Sequence, residues 1–251
     1  MLALEFPPVS HLVEWPEIFG EGAFAVTKVV LLMFLAVALV LAIFVTAAKR
    51  RSLVPVGVQN LAESTVEFVQ EGIILQTMGR DGLKFTPFLL TVFTFIASLN
   101  LIGLLPGIQM PVNARMAVPA LLAILVWIIY NVVGIVSQGP LTYFKNILFP
   151  PGVPKALYIL VTPIEFVSTL FVRPFALAVR LFANLLAGHL ILVSFAVLSA
   201  ALFEATVVGA VLPGALLVAL TAFEVLVALL QAYIFTILAA VFIGGAMHPE
   251  H

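Results

Sequence analysis

Arg180 is the residue of this chain best placed to do electrostatic work. It stands in Arg180-Leu181-Phe182-Ala183-Asn184-Leu185-Leu186-Ala187-Gly188-His189, and no other formal charge occurs between Arg173 and Glu204. An arginine at bilayer depth costs about 2.5–3.5 kcal/mol on insertion scales. A membrane chain that keeps one there uses it against an anion or beside an ion path. Guanidinium groups stay protonated in proteins, so this one is a fixed positive charge and not a proton carrier. Imidazole exchanges protons near neutral pH, which makes His189 a candidate shuttle. From Ala156 to Met247 the charges are Glu165, Arg173, Arg180, Glu204 and Glu224 alone.

Membrane helices must position these groups. Of the 251 residues, 63% are hydrophobic and 9% charged, against about 25% charged in soluble domains. The composition predicts an all-α integral membrane protein in contact with the lipid bilayer. A net charge of −1 argues against nucleic acid as a partner, and the absence of cysteine excludes disulfides and thiolate metal sites. No metal and no cofactor is expected. Residues 1–26 read as an external N-terminal segment of the mature protein, because Met1 to Gly22 carries Glu5, Glu14, Glu17 and Glu21 but no basic signal-peptide region.

A span needs about 20 apolar residues. Residues 27–48 supply the first, ending at Lys49-Arg50-Arg51, and residues 85–138 hold the second and third, at 85–105 and 117–138. Two longer apolar runs, 156–203 and 211–246, complete five passes within a C-terminal hairpin at 156–247. The visible turn signals between them are Gly209 and Pro213-Gly214. Segment 57–78, with Glu63, Glu67 and Glu71 at helical spacing, predicts an amphipathic helix on the cytoplasmic membrane surface. Alternating passes put Lys49, Arg50, Arg51, Arg80, Lys84, Lys145 and Lys155 on one side, with Lys28 and Arg115 on the other. The positive-inside rule then predicts an external N-terminus and a cytoplasmic C-terminus.

The fourth run, roughly 48 residues at 1.5 Å each, gives about 70 Å of helix, over twice the hydrocarbon thickness of about 30 Å. It is expected to tilt strongly, to bend at Pro163 and Pro174, and to pair antiparallel with the fifth. One pairing register, centred near residue 206, sets Arg180 opposite Gln231 and His189 opposite Glu224. Glu224 and Gln231 then lie about 20° apart, and Arg180 and Asn184 about 40°. His189 lies about 180° from Arg180. Arg180 and Asn184 therefore face one partner, while His189 and Glu224 line something else.

Arg180-Leu-Phe-Ala-Asn184, Ala187-Gly188-His189, Gln231-Ala-Tyr-Ile-Phe235 and Asn100-Leu-Ile-Gly-Leu-Leu-Pro106 together resemble subunit a of the F-type ATP synthase membrane sector, over the whole chain from the first span onward. The resemblance implies a stator packed against a rotating c-subunit ring, with b-type peripheral stalk subunits and the remainder of the synthase as further partners. It implies two aqueous half-channels separated by Arg180, which couple proton flow to ATP synthesis without catalysis by this chain. Asn184 and Gln231 match positions near the arginine, and His189 and Glu224 match the half-channel open to the outside. Glu165 resembles a carboxylate of the cytoplasmic half-channel, with one residue more before Arg173-Pro174 than some members carry. Asn100 is a channel liner by the same comparison, whereas Gly103 departs from members with an acid there. The implied location is a bacterial inner membrane. Plainer readings are an internal ion pair for Arg180, a buried ion pair for His189 with Glu224, and helix packing for Asn100, Asn184 and Gln231. For Glu165 the plainer reading is a structural, snorkelling role, and Arg173 and Glu204 read as structural residues near the interfaces. The alternative functions are a self-contained secondary transporter, which commonly shows inverted repeats not visible here, and a structural membrane subunit.

Overall fold

The computed structural model describes residues 17–19, 26–49, 52–105, 112–149, 154 and 157–247. Five helices among them are long and apolar enough to cross a membrane: Lys28–Lys49, Arg80–Gly103, Ala117–Gln138, Tyr158–Phe203 and Val208–Met247. Inside hydrocarbon every backbone N–H and C=O needs an internal partner, and a helix provides one along its length. That constraint overrides the strand preference of the Val- and Ile-rich runs.

In chain order the helices are α1 (Lys28–Lys49), α2 (Val58–Val69), α3 (Thr86–Gly103), α4 (Ala117–Gln138), α5 (Pro140–Leu148), α6 (Tyr158–Val167), α7 (Arg173–Ala205) and α8 (Val207–Met247). A π turn at Gln70–Ile74 carries α2 into Leu75–Thr77, and a second at Ser168–Val172 joins α6 to α7. A 3-10 turn at Arg80–Phe85 leads into α3.

Three features differ from the sequence expectation. A small antiparallel ribbon, β1 (Glu17–Phe19) with β2 (Val26–Thr27), precedes α1; Ile18, Val26 and Thr27 are β-branched and favour it. The short helix α5 follows α4 directly. Gly139, at φ 82°, supplies the left-handed turn and Pro140 starts the new helix with its φ preset. The turn residues also move: Gly209, Pro213 and Gly214 lie inside α8. The hairpin turns at Thr206, which is extended at φ −157° and ψ 132°, and its hydroxyl accepts the Gly209 N–H at 3.2 Å. An N-cap threonine ended the first helix and began the second, at the centre of the predicted pairing register. Most of the expected external segment 1–26, together with Arg50, Arg51, Pro106 and Lys155, lies outside the described residues.

Helix α8 packs along α7 and against α3 and α4. Buried alanines at 228, 232, 239 and 240 let these backbones approach closely, as membrane helices require. Outward-facing Phe34, Leu121, Ile159 and Phe175 present apolar surface to lipid. One buried polar clamp ties the layers together. The fully buried Asn100 donates from Nδ2 to the Ala228 carbonyl of α8 at 3.0 Å. Its Oδ1 accepts from Asn113 Nδ2 at 2.7 Å.

Replacing Asn100 by leucine leaves the Asn113 amide without its acceptor and frees α8. The expected cost is about 1–3 kcal/mol, read as a lowered unfolding midpoint of the purified complex in detergent. An unchanged midpoint would show that the clamp contributes nothing.

Candidate functional site

Helix α7 divides into two faces around Arg180. Ala176, Arg180, Ala183, Asn184, Ala187 and Ile191 are exposed, while Leu177, Ala178, Leu181, Leu185, Gly188 and His189 are buried. The division follows from 3.6 residues per turn, and it separates Arg180 from His189 as the spacing predicts. Among the described residues no ion pair or hydrogen bond joins Arg180 to an acid of its own chain. Its face is otherwise small, with alanine at 176, 183 and 187, so another helix backbone can come close. Gln231 is buried at 4% exposure on α8, and no hydrogen bond to Arg180 is present among the described residues.

The opposite face of α7 meets α8 at Glu224, which is buried with His189 at 6% and 9% exposure. Glu224 fits there because position 188 is glycine: a Cβ at Gly188 would overlap the Glu224 carboxylate. The carboxylate thus lies against the backbone immediately before His189. No ion pair or hydrogen bond links His189 to Glu224 among the described residues, so the plainer reading as a buried ion pair is not what this geometry displays. Asn100 holds α8 at Ala228, one turn beyond Glu224. The Glu204 side chain lies outside the described residues.

Glu165 lies elsewhere, in a polar cavity of about 210 Å³ near the end of α8, shared with Tyr130, Gln138, Tyr143, Asn146, Thr169 and Arg173 among others. Arg173 Nη2 stands 3.9 Å from Glu165 Oε2, and both side chains are 38% exposed. A pair this open is worth little as a stabilising contact. The Arg173 guanidinium also lies over the Phe242 ring, 5.6 Å from its centroid. Around the cavity, Gln138 Nε2 donates to the Ala246 carbonyl at 2.8 Å and Asn146 Nδ2 to Gln138 Oε1 at 2.9 Å. Tyr143 donates to Asn131 Oδ1 at 3.1 Å, and its ring occupies space left by Gly134. Burial pushes the Tyr143 hydroxyl up against a weaker opposing pull from Arg173, so it stays a neutral donor.

The structure therefore brings candidate residues into three places: Arg180 with Asn184 on the outer face, His189 with Glu224 inside, and Glu165 with Arg173 at the far cavity. Tyr130, Tyr143, Asn113 and Gly188 were not among the sequence candidates. Tyr130, Gly134, Ser137 and Gln138 recur at helical spacing through an apolar span, a signal that marks a polar face of α4. Among the described residues no group of three or more His, Asp or Glu gathers to hold a metal ion.

Residues 30–244 match the family model described as ATP synthase A chain. The chain is similar to ATP synthase subunit a of Frankia alni, 40% identical over 97% of this chain and 87% of that protein. It is likewise similar to ATP synthase subunit a of Rhodococcus erythropolis, 40% identical over 98% and 89% of the two chains. The subunit a of Rhodopseudomonas palustris is 42% identical over 92% of each. With a membrane-helical architecture and a match extending through every span, the chain belongs to the ATP synthase A chain family.

Proposed function

We propose that Arg180 separates two aqueous half-channels in this chain, the proton-channel stator of an F-type ATP synthase, as the carboxylates of a c-subunit ring move past its exposed face. The chain translocates protons within the rotary complex and is not itself the catalyst. The observation that carries the reading is an exposed cation in an apolar membrane helix, with no acid paired to it among the described residues. Such a group requires an anion from a partner. At 4 Å and an effective dielectric near 20, two unit charges attract by about 4 kcal/mol before desolvation is subtracted. An acid arriving beside the cation is favoured in its ionised form and releases its proton. Because arginine keeps its own proton, the same charge repels one that would cross directly.

His189 and Glu224 serve the half-channel open to the outside, buried behind the ring-facing surface, with Asn100 fixing α8 beside them. Glu165 serves the cytoplasmic half-channel, through the polar cavity near the end of α8. Asn184 shares the outer face with Arg180, and Gln231 backs it from α8. The basic residues Lys49, Arg50, Arg51, Arg80 and Lys84 support a cytoplasmic C-terminus by the positive-inside rule, and the bacterial relatives favour the cell membrane as the location. The acidic helix α2 lies at the cytoplasmic surface, and b-type stalk subunits join the c ring and the remaining synthase as partners of the chain.

Three outcomes test this reading in inverted membrane vesicles carrying the whole synthase. Arg180→Ala abolishes ATP-driven proton pumping while the complex still assembles; pumping at the wild-type rate would rule out the separator role. Glu224→Gln and His189→Gln each slow proton flux roughly tenfold or more, as loss of a relay group should. The exchanged pair, His189→Glu with Glu224→His, regains part of it, and single variants with normal flux would remove these residues from the path. Gly188→Val displaces the Glu224 carboxylate and lowers flux as Glu224→Gln does; full flux would show that the close contact is immaterial.

A further inference from the structure

We propose that Tyr130 is a positioning residue: by pinning the π turn at Ser168–Val172 it sets the rotation of α6 against α7, and so holds Glu165 and Arg173 on one face. This inference rests on reading their shared cavity as the cytoplasmic half-channel.

Helix geometry supplies the first argument. Eight positions separate Glu165 from Arg173, which in an unbroken α-helix would set them about 80° apart. A π turn takes up one residue without advancing the helix by its usual rotation. That removes about 100° and leaves the two side chains about 20° apart, two turns along the same face. The 3.9 Å approach of Arg173 to Glu165 and their common cavity agree with the second geometry.

Backbone accounting supplies the second. In the π turn the Arg173 N–H donates to the Ser168 carbonyl, so Thr169 loses the donor an α-helix would give its carbonyl. The next residue along the chain is Pro174, which has no N–H. A buried carbonyl needs a partner, and Thr169 is only 3% exposed. Tyr130, 2% exposed, donates its hydroxyl to that carbonyl at 2.6 Å. Were the segment to relax to an α-helix, the Arg173 N–H would return to Thr169 and that carbonyl would have a donor without Tyr130. The tyrosine hydroxyl therefore favours the π form by supplying the partner that only this form lacks. Its ring is held against Phe242, 5.9 Å between centroids, the same ring over which Arg173 lies.

The chain contains no cysteine, so a single thiol introduced by Glu165→Cys reports the register in the assembled synthase. A charged methanethiosulfonate added from the cytoplasmic side labels it. Adding Tyr130→Phe slows labelling about three- to tenfold, the population change that loss of one hydrogen bond produces. Deleting Phe171 as well converts the π turn to an α-helix of the same net rotation and restores labelling to within about twofold of the starting rate. The deletion alone preserves labelling and, with Glu165 intact, ATP-driven pumping. Labelling indifferent to Tyr130→Phe, or lost on deleting Phe171 alone, overturns the proposal. Pumping by Glu165→Gln is the separate arm. If it equals wild type while labelling follows the expected pattern, the half-channel role of Glu165 fails and the positioning of the π turn by Tyr130 stands.

Discussion

A guanidinium on the outward face of a membrane helix, with no acid paired to it among the described residues, is the constraint around which the rest of the structure is arranged. Burial of such a charge against its own chain would require an acid, and the buried face of α7 is instead made by Leu177, Leu181, Leu185 and Gly188. Arg180 is thereby directed away from the core. The flanking positions at 176, 183 and 187 are all alanine, so its immediate surroundings on that face are small.

The opposite face of the same helix obeys the contrary rule. Glu224 and His189 are withdrawn from lipid, and space for the carboxylate exists only because residue 188 lacks a Cβ. The hairpin of α7 and α8 therefore presents a permanent cation on one side and a buried carboxyl and imidazole on the other. Asn100 contributes by holding α8 to α3 through a carbonyl one turn from Glu224. Its amide is committed to two protein contacts, which makes it a support of the site before it is a lining residue.

The π turn between α6 and α7 brings two side chains onto one face by changing the rotation of the helix. One residue accommodated without its usual advance shifts everything beyond it by about 100°, which sets Glu165 and Arg173 over one cavity. A local widening confines the change to one turn, at the expense of an orphaned carbonyl that Tyr130 satisfies from the neighbouring helix. Proline at position 174 has no N–H to offer that carbonyl in place of the Arg173 one, so the bond has to come from another helix.

Composition and charge spacing determined the helical membrane class, the number of spans and the opposition of Arg180 to His189, because hydrocarbon forces helices and a helix has one period. The register centre near residue 206 was legible for the same reason: antiparallel pairing of two uninterrupted helices leaves one free parameter. Glycine and proline misled at the turn. Inside a long membrane helix they are tolerated, and a threonine cap at 206 did the terminating. The ribbon before α1, the helix α5 and the cavity joining Glu165 to Tyr130, Tyr143 and Gln138 came only with the tertiary structure. They depend on which helices are neighbours, and on a π turn whose stability resides in a hydrogen bond from another span. Periodicity reports the face a residue occupies on its own helix; packing decides what that face meets.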